Sequence, residues 1–150
     1  MAKGVSVLLV DDNPAFLRTA TFFLEQCGEV KVVVAVIDGR KTLAQAQALR
    51  PDIVLLDLVM PGMTMGQIIA CLRAARPEIG IIAMSLWDID AYRQAAIEQG
   101  ADEFVSKEAI NTELLPAIRR VMQIVQSQCK VARPALATMG MACRLPQGSE

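Results

Sequence analysis

An α/β fold is predicted for this chain: a doubly wound, five-stranded parallel sheet with strand order 2-1-3-4-5 and helices on both faces. Three features predict it. Short runs rich in Val, Leu and Ile alternate with longer segments of helical period. The runs are apolar at consecutive positions rather than at every second one, as in strands covered on both faces. Acidic residues stand just past two of these runs, Asp11 and Asp12 after the first and Asp57 after the third, at the strand ends where such sheets bind ligands.

The elements follow in order. Strand 5–10 leads into Asp11-Asp12-Asn13-Pro14. Pro14 opens helix 14–27, because its missing N–H and fixed φ suit a first helical turn. Cys27-Gly28 closes that helix. Strand 30–36 and helix 39–49 come next, and Pro51 forbids the helix from continuing. Strand 53–57 is followed by helix 65–76, which Pro77 stops. Strand 79–84 precedes helix 89–99, which ends at Gln99-Gly100. Strand 103–106 and helix 110–129 complete the alternation. Right-handed crossovers place these helices on both faces of the sheet. Strands 1 and 3 are then neighbours at the topological switch point, so Asp11, Asp12 and Asp57 meet in one crevice.

With 150 residues, 53 % of them hydrophobic, the chain has material for one domain with a full core. Residues 1–129 are assigned to it. Residues 130–150 include Pro134, Pro146, Gly140 and Gly148 and keep no sustained period, so they read as a flexible tail or the start of a linker. Fifteen basic and sixteen acidic residues leave a net charge of −1, which supplies no footprint for direct nucleic-acid binding. No apolar run approaches the ~20 residues of a membrane span, and no signal segment opens the chain, so a cytoplasmic protein is expected. Cys27, Cys71, Cys129 and Cys143 lack CxxC spacing and the chain has no histidine, which argues against a zinc site, a disulfide framework and histidine-based triads.

The acidic cluster poses an electrostatic problem. Two carboxylates about 5 Å apart repel by roughly 3 kcal/mol at an effective dielectric of about 20, so three together call for a proton, a nearby base or a metal ion. Helix capping by Asp12 or Asn13 before Pro14, and a plain turn role for Asp57, are the simpler readings; capping explains one acid at the first site, not two.

Two more positions complete a pattern: Ser85 follows the fourth strand and Lys107 the fifth. Asp11-Asp12, Asp57, Ser85 and Lys107, in that order at four strand ends, resemble the receiver domain of two-component response regulators, over roughly residues 5–127. The stretch Gly100-Ala-Asp-Glu-Phe-Val-Ser-Lys-Glu108 is similar to receivers attached to LuxR-type helix-turn-helix domains.

The resemblance implies a flavodoxin-like (CheY-like) fold and a phosphorylation-activated switch. Asp57 would take a phosphoryl group from a sensor histidine kinase or a phosphotransfer protein. Mg²⁺ would be held by Asp11, Asp12, Asp57 and the Val59 carbonyl, while Lys107 would pair with a phosphoryl oxygen. Ser85 and Phe104 would transmit the change. The chain would not be a metabolic enzyme, DNA contact would need a missing C-terminal domain, and homodimerisation through the apolar face of helix 110–129 is an option. Leu86 stands where the family usually places a small Ala or Gly, and is expected to restrict access to the pocket and slow dephosphorylation. Glu108 replaces a proline, and Thr64-Met65-Gly66 replaces an Asp/Ser-Gly step. Two other readings are a phosphorylation-independent pseudo-receiver and a Mg²⁺-dependent phosphatase of the haloacid-dehalogenase type; the latter wants acid-x-acid where this chain has Asp11-Asp12-Asn13, and a cap domain for which there is no room.

Overall fold

The computed structural model describes residues 4–36, 39–59, 64–87 and 90–128. The proposed tail and Cys129 and Cys143 lie outside the described residues. Five strands are present: β1 Val5–Val10, β2 Val30–Val36, β3 Ile53–Asp57, β4 Gly80–Ser85 and β5 Glu103–Ser106. They form one parallel sheet in the order β2-β1-β3-β4-β5, as the alternation predicts. The helices are α1 Pro14–Gln26, α2 Gly39–Leu49, α3 Met65–Ala75, α4 Asp90–Glu98 and α5 Leu115–Gln128.

Side chains alternate across the strands, and each face has its own core. Leu8, Val10, Val54, Leu56, Ile81, Ala83 and Phe104 pack with residues of α2, α3 and α4. Val7, Leu9, Ile53, Leu55, Ile82, Met84 and Val105 pack with α1 and α5. Burial on both sides explains why the strands read as continuous apolar runs. From α5 and the turn before it, Leu114, Ile118, Val121 and Val125 are buried in this second core and Leu115 and Met122 pack against it, so the apolar face of the last helix is covered by its own sheet.

Local chemistry sets the boundaries. Gly28 ends the α1 turn at φ 76°, where a side chain would be disfavoured. Thr64 caps α3 by accepting from the Gln67 N–H at 3.1 Å, and the Gln67 side chain accepts from the Thr64 N–H at 2.9 Å. This capping box shows how Thr64-Met65-Gly66 starts the helix without the expected Asp/Ser-Gly step. Below the sheet, buried Arg73 of α3 donates to the Gly100 carbonyl at 2.8 Å and to Asp102 Oδ2 at 3.1 Å, and also to the Ile79 carbonyl, tying α3 to the segments that enter β4 and β5.

The last helix departs from the expected span 110–129. Lys107–Ala109 forms a 3-10 turn and Ile110–Leu114 a π turn, and the α-helix proper begins at Leu115. Pro116 explains the shift: it has no N–H to donate to Thr112, and its ring would clash with that carbonyl, so a regular ladder cannot pass through from residue 110.

Candidate functional site

Strand register assembles the site. Val10 of β1 lies beside Leu56 of β3, so Asp11 and Asp57 leave adjacent strand ends together. Asp57 in turn lies beside Met84, and Ser85 beside Ser106, with Lys107 next in the chain. All the residues singled out from the sequence therefore belong to one edge of the sheet, apart from Phe104, which sits within β5 and points into the opposite core.

Asp12 and Asn13 divide two tasks that the sequence left open. Asn13 is the cap of α1: its Oδ1 accepts from the Ala15 N–H at 2.9 Å and the Phe16 N–H at 3.3 Å. The Asn13 N–H donates to Asp11 Oδ1 at 2.8 Å. Asp12 is left exposed and free of capping duty. Each of Asp11, Asp12 and Asp57 offers a carboxylate oxygen within 4.8 Å of the others.

Asp11 and Asp57 are buried, and Lys107 reaches both. Its ammonium pairs with Asp11 Oδ2 and lies 3.3 Å from Asp57 Oδ1. Asp57 Oδ1 also accepts from the Val59 N–H at 3.4 Å; among the described residues, Oδ2 takes neither a hydrogen bond nor an ion pair. Burial pushes the Asp57 carboxyl up to about 6, with Lys107 working against the rise and Asp11 adding to it. Three carboxylates against one ammonium leave an excess of two negative charges in oxygen-only surroundings. That donor set fits a small, hard divalent cation.

The turn that delivers Lys107 is built by Ser106, whose buried Oγ accepts from the Glu108 N–H at 3.2 Å. A proline at 108 could not make this bond, so Glu108 is integrated into the site's frame rather than a neutral departure. Ser85 is buried as the last residue of β4, and its Oγ accepts from the Trp87 N–H at 2.9 Å. Leu86 and Trp87 are exposed, at 55 % and 62 %, as is Val59 at 67 %. Phe104 is buried, and the Arg93 guanidinium of α4 lies 4.8 Å from its ring centroid. Sequence reasoning missed Ser106 and also Phe16, whose ring lies 4.8 Å from the Lys107 ammonium.

Residues 7–119 match the family described as the response regulator receiver domain. The chain belongs to that family. It is 34 % identical over 116 residues to the transcriptional regulatory protein NarL of Mycobacterium tuberculosis, covering 77 % of this chain and 54 % of NarL. The solved signal receiver domain of the M. tuberculosis response regulator NarL superposes with a TM-score of 0.70 at 32 % identity, covering 83 % of this chain and 98 % of that one. A LuxR-family two-component response regulator from Aurantimonas sp. SI85-9A1 shares the fold, with a TM-score of 0.73 at 22 % identity over 85 % of this chain and 99 % of that one. The receiver described here spans about half the length of the curated relatives it matches. No helix among its described residues is long and apolar enough to cross a membrane.

Proposed function

We propose that this receiver is a phosphorylation-driven switch with Asp57 as its phosphoacceptor. One observation carries the reading: a buried carboxylate with one uncommitted oxygen shares a strand-end cluster with two further acids, and a lysine bridges it to one of them. Oδ2 of Asp57 attacks the phosphorus of a phosphohistidine on a sensor kinase or phosphotransfer protein. A P–O bond forms as the P–N bond breaks, and the electron pair returns to the imidazole. Lys107, already between Asp11 and Asp57, is placed to meet an oxygen of the arriving group.

Asp12, Asp57 and the Val59 carbonyl would hold Mg²⁺ directly, with Asp11 acting largely through water. When bound, the ion supplies positive charge against the acids and against the transferring phosphoryl group. Asp11 keeps Lys107 in place by their ion pair, and Asn13 keeps Asp11 in place by its N–H.

The readout runs through Ser85. Its hydroxyl now bonds the Trp87 N–H; a phosphoryl group on Asp57 adds strong acceptor oxygens that draw the hydroxyl inward and release that loop. Phe104 then repacks beneath it, and its Arg93 partner carries the change to α4. We assign residues 1–129 to this switch and residues 130–150 to a tail or linker, with DNA-binding output, if any, in a further domain of the LuxR type.

Mg²⁺ with beryllofluoride, a phosphoryl mimic, tests the reading through the fluorescence of Trp87, the chain's single tryptophan. A saturable change that needs both Mg²⁺ and Asp57 is expected. No response to the mimic or to acetyl phosphate would favour a pseudo-receiver, and repeated turnover of small phosphate esters would favour a phosphatase.

A further inference from the structure

We propose that Phe16 is a positioning residue for Lys107, its ring helping to hold the ammonium beside the acidic cluster. The inference rests on the reading of Lys107 as the group that meets the phosphoryl oxygen. Lysine carries a compact, strongly hydrated charge with three donors on a flexible stem. Here the side chain is 8 % exposed, so most of that hydration is gone. Asp11 and Asp57 can take two of the three N–H groups. The Phe16 ring makes a further contact with the ammonium, its centroid 4.8 Å away. An aromatic face attracts a cation held at that distance, and does so more strongly when water is excluded.

The ring is itself held in a closed circuit. The Asp11 carboxylate accepts from the Asn13 N–H, and the Asn13 side chain accepts from the Phe16 N–H. The Phe16 ring faces Lys107, and Lys107 returns to Asp11. The segment from Asp11 to Phe16 thus holds the lysine by two arms joined at Asn13, one ionic from Asp11 and one aromatic from Phe16. An acid or amide at position 16 could also hold an ammonium, but it would compete with the phosphoryl group for the same N–H donors. A ring attracts the charge without engaging those donors in strong bonds, so Lys107 stays in place and remains able to turn toward a new oxygen.

Three proteins test this: wild type, Phe16→Leu and Phe16→Tyr. In proton NMR the ε-methylene of Lys107 should be shifted upfield by the ring in wild type and in Phe16→Tyr, and should return to its ordinary position in Phe16→Leu. Half-saturation by beryllofluoride with Mg²⁺ should need about tenfold more mimic in Phe16→Leu, with the same maximal change, and should recover in Phe16→Tyr. An unshifted ε-methylene in the wild type, or equal mimic binding by Phe16→Leu and wild type, would overturn the proposal. Should Phe16→Leu not fold, Phe16→Met serves as the non-aromatic variant with the same expectations. A wild-type protein that ignores the mimic while showing the upfield shift would overturn the phosphoacceptor reading and leave the Phe16–Lys107 contact standing.

Discussion

Asp57, the proposed phosphoacceptor, is held at a cost to the fold. Its carboxyl is buried and sits near 6 instead of the ordinary 3.8, so at neutral pH the folded protein carries a charge that burial disfavours. The sign follows from linkage: a group whose folded pKa is raised favours the fold fully below the unfolded value, and that contribution is lost as pH rises through about 6. Asp57→Asn should therefore stabilise the metal-free protein at pH 7 by on the order of 1–3 kcal/mol, and the gain should shrink between pH 6 and 4. Thermal unfolding of both proteins across that range checks it; a constant gain would place its origin elsewhere. Leu86 is the other telling residue. It is half exposed and follows buried Ser85 in the chain, and the expectation for so bulky a side chain at this position is that it hinders water and small phosphodonors. Leu86→Ala is expected to speed both autodephosphorylation and acetyl-phosphate labelling several-fold, and unchanged rates for both would remove Leu86 from the kinetics.

Elements hold these residues in register, and glycine at the start of β4 is part of how they do so. A Cβ on Gly80 would meet Val121 Cγ1 at 2.6 Å, Ile53 Cγ1 at 3.0 Å and Val125 Cγ2 at 3.2 Å. Gly80 is what lets α5 close on the sheet. Gly80→Ala should destabilise by about 1–3 kcal/mol through overpacking, measured as a lower denaturant midpoint, while leaving the Asp11, Asp12 and Asp57 constellation at the opposite strand ends able to bind the mimic. Strands and most helices were legible in the sequence because continuous Val/Leu/Ile runs and Pro and Gly punctuation act locally. The start of α5 was not, since the π turn before Pro116 answers to a single missing donor within an otherwise helical pattern. Asn13 as the cap of α1, rather than Asp12, was equally beyond reach: both residue types cap well, and only the backbone decides which of them faces the first turn.

For the whole molecule, the strand order turns separate residues into a site. Asp11, Asp57, Ser85 and Lys107 could be picked out because they fall at strand ends in a recurring order, and the parallel sheet brings them to one edge. Phe16 could not: in the sequence it is one more apolar residue of an amphipathic helix, and its contact with Lys107 arises only once the start of α1 and the turn after β5 meet at the same end of the sheet. Ser106 was hidden in the same way, as a hydroxyl whose task is to turn the chain at Lys107. On the function proposed above, this assembled edge accepts a phosphoryl group on Asp57. Mass spectrometry after incubation with acetyl phosphate and Mg²⁺, followed by borohydride reduction, reads that step out. One added phosphoryl group, reduction of residue 57 to homoserine, and no adduct in Asp57→Asn are expected; a label on another residue, or one that survives that substitution, would refute phosphorylation of Asp57.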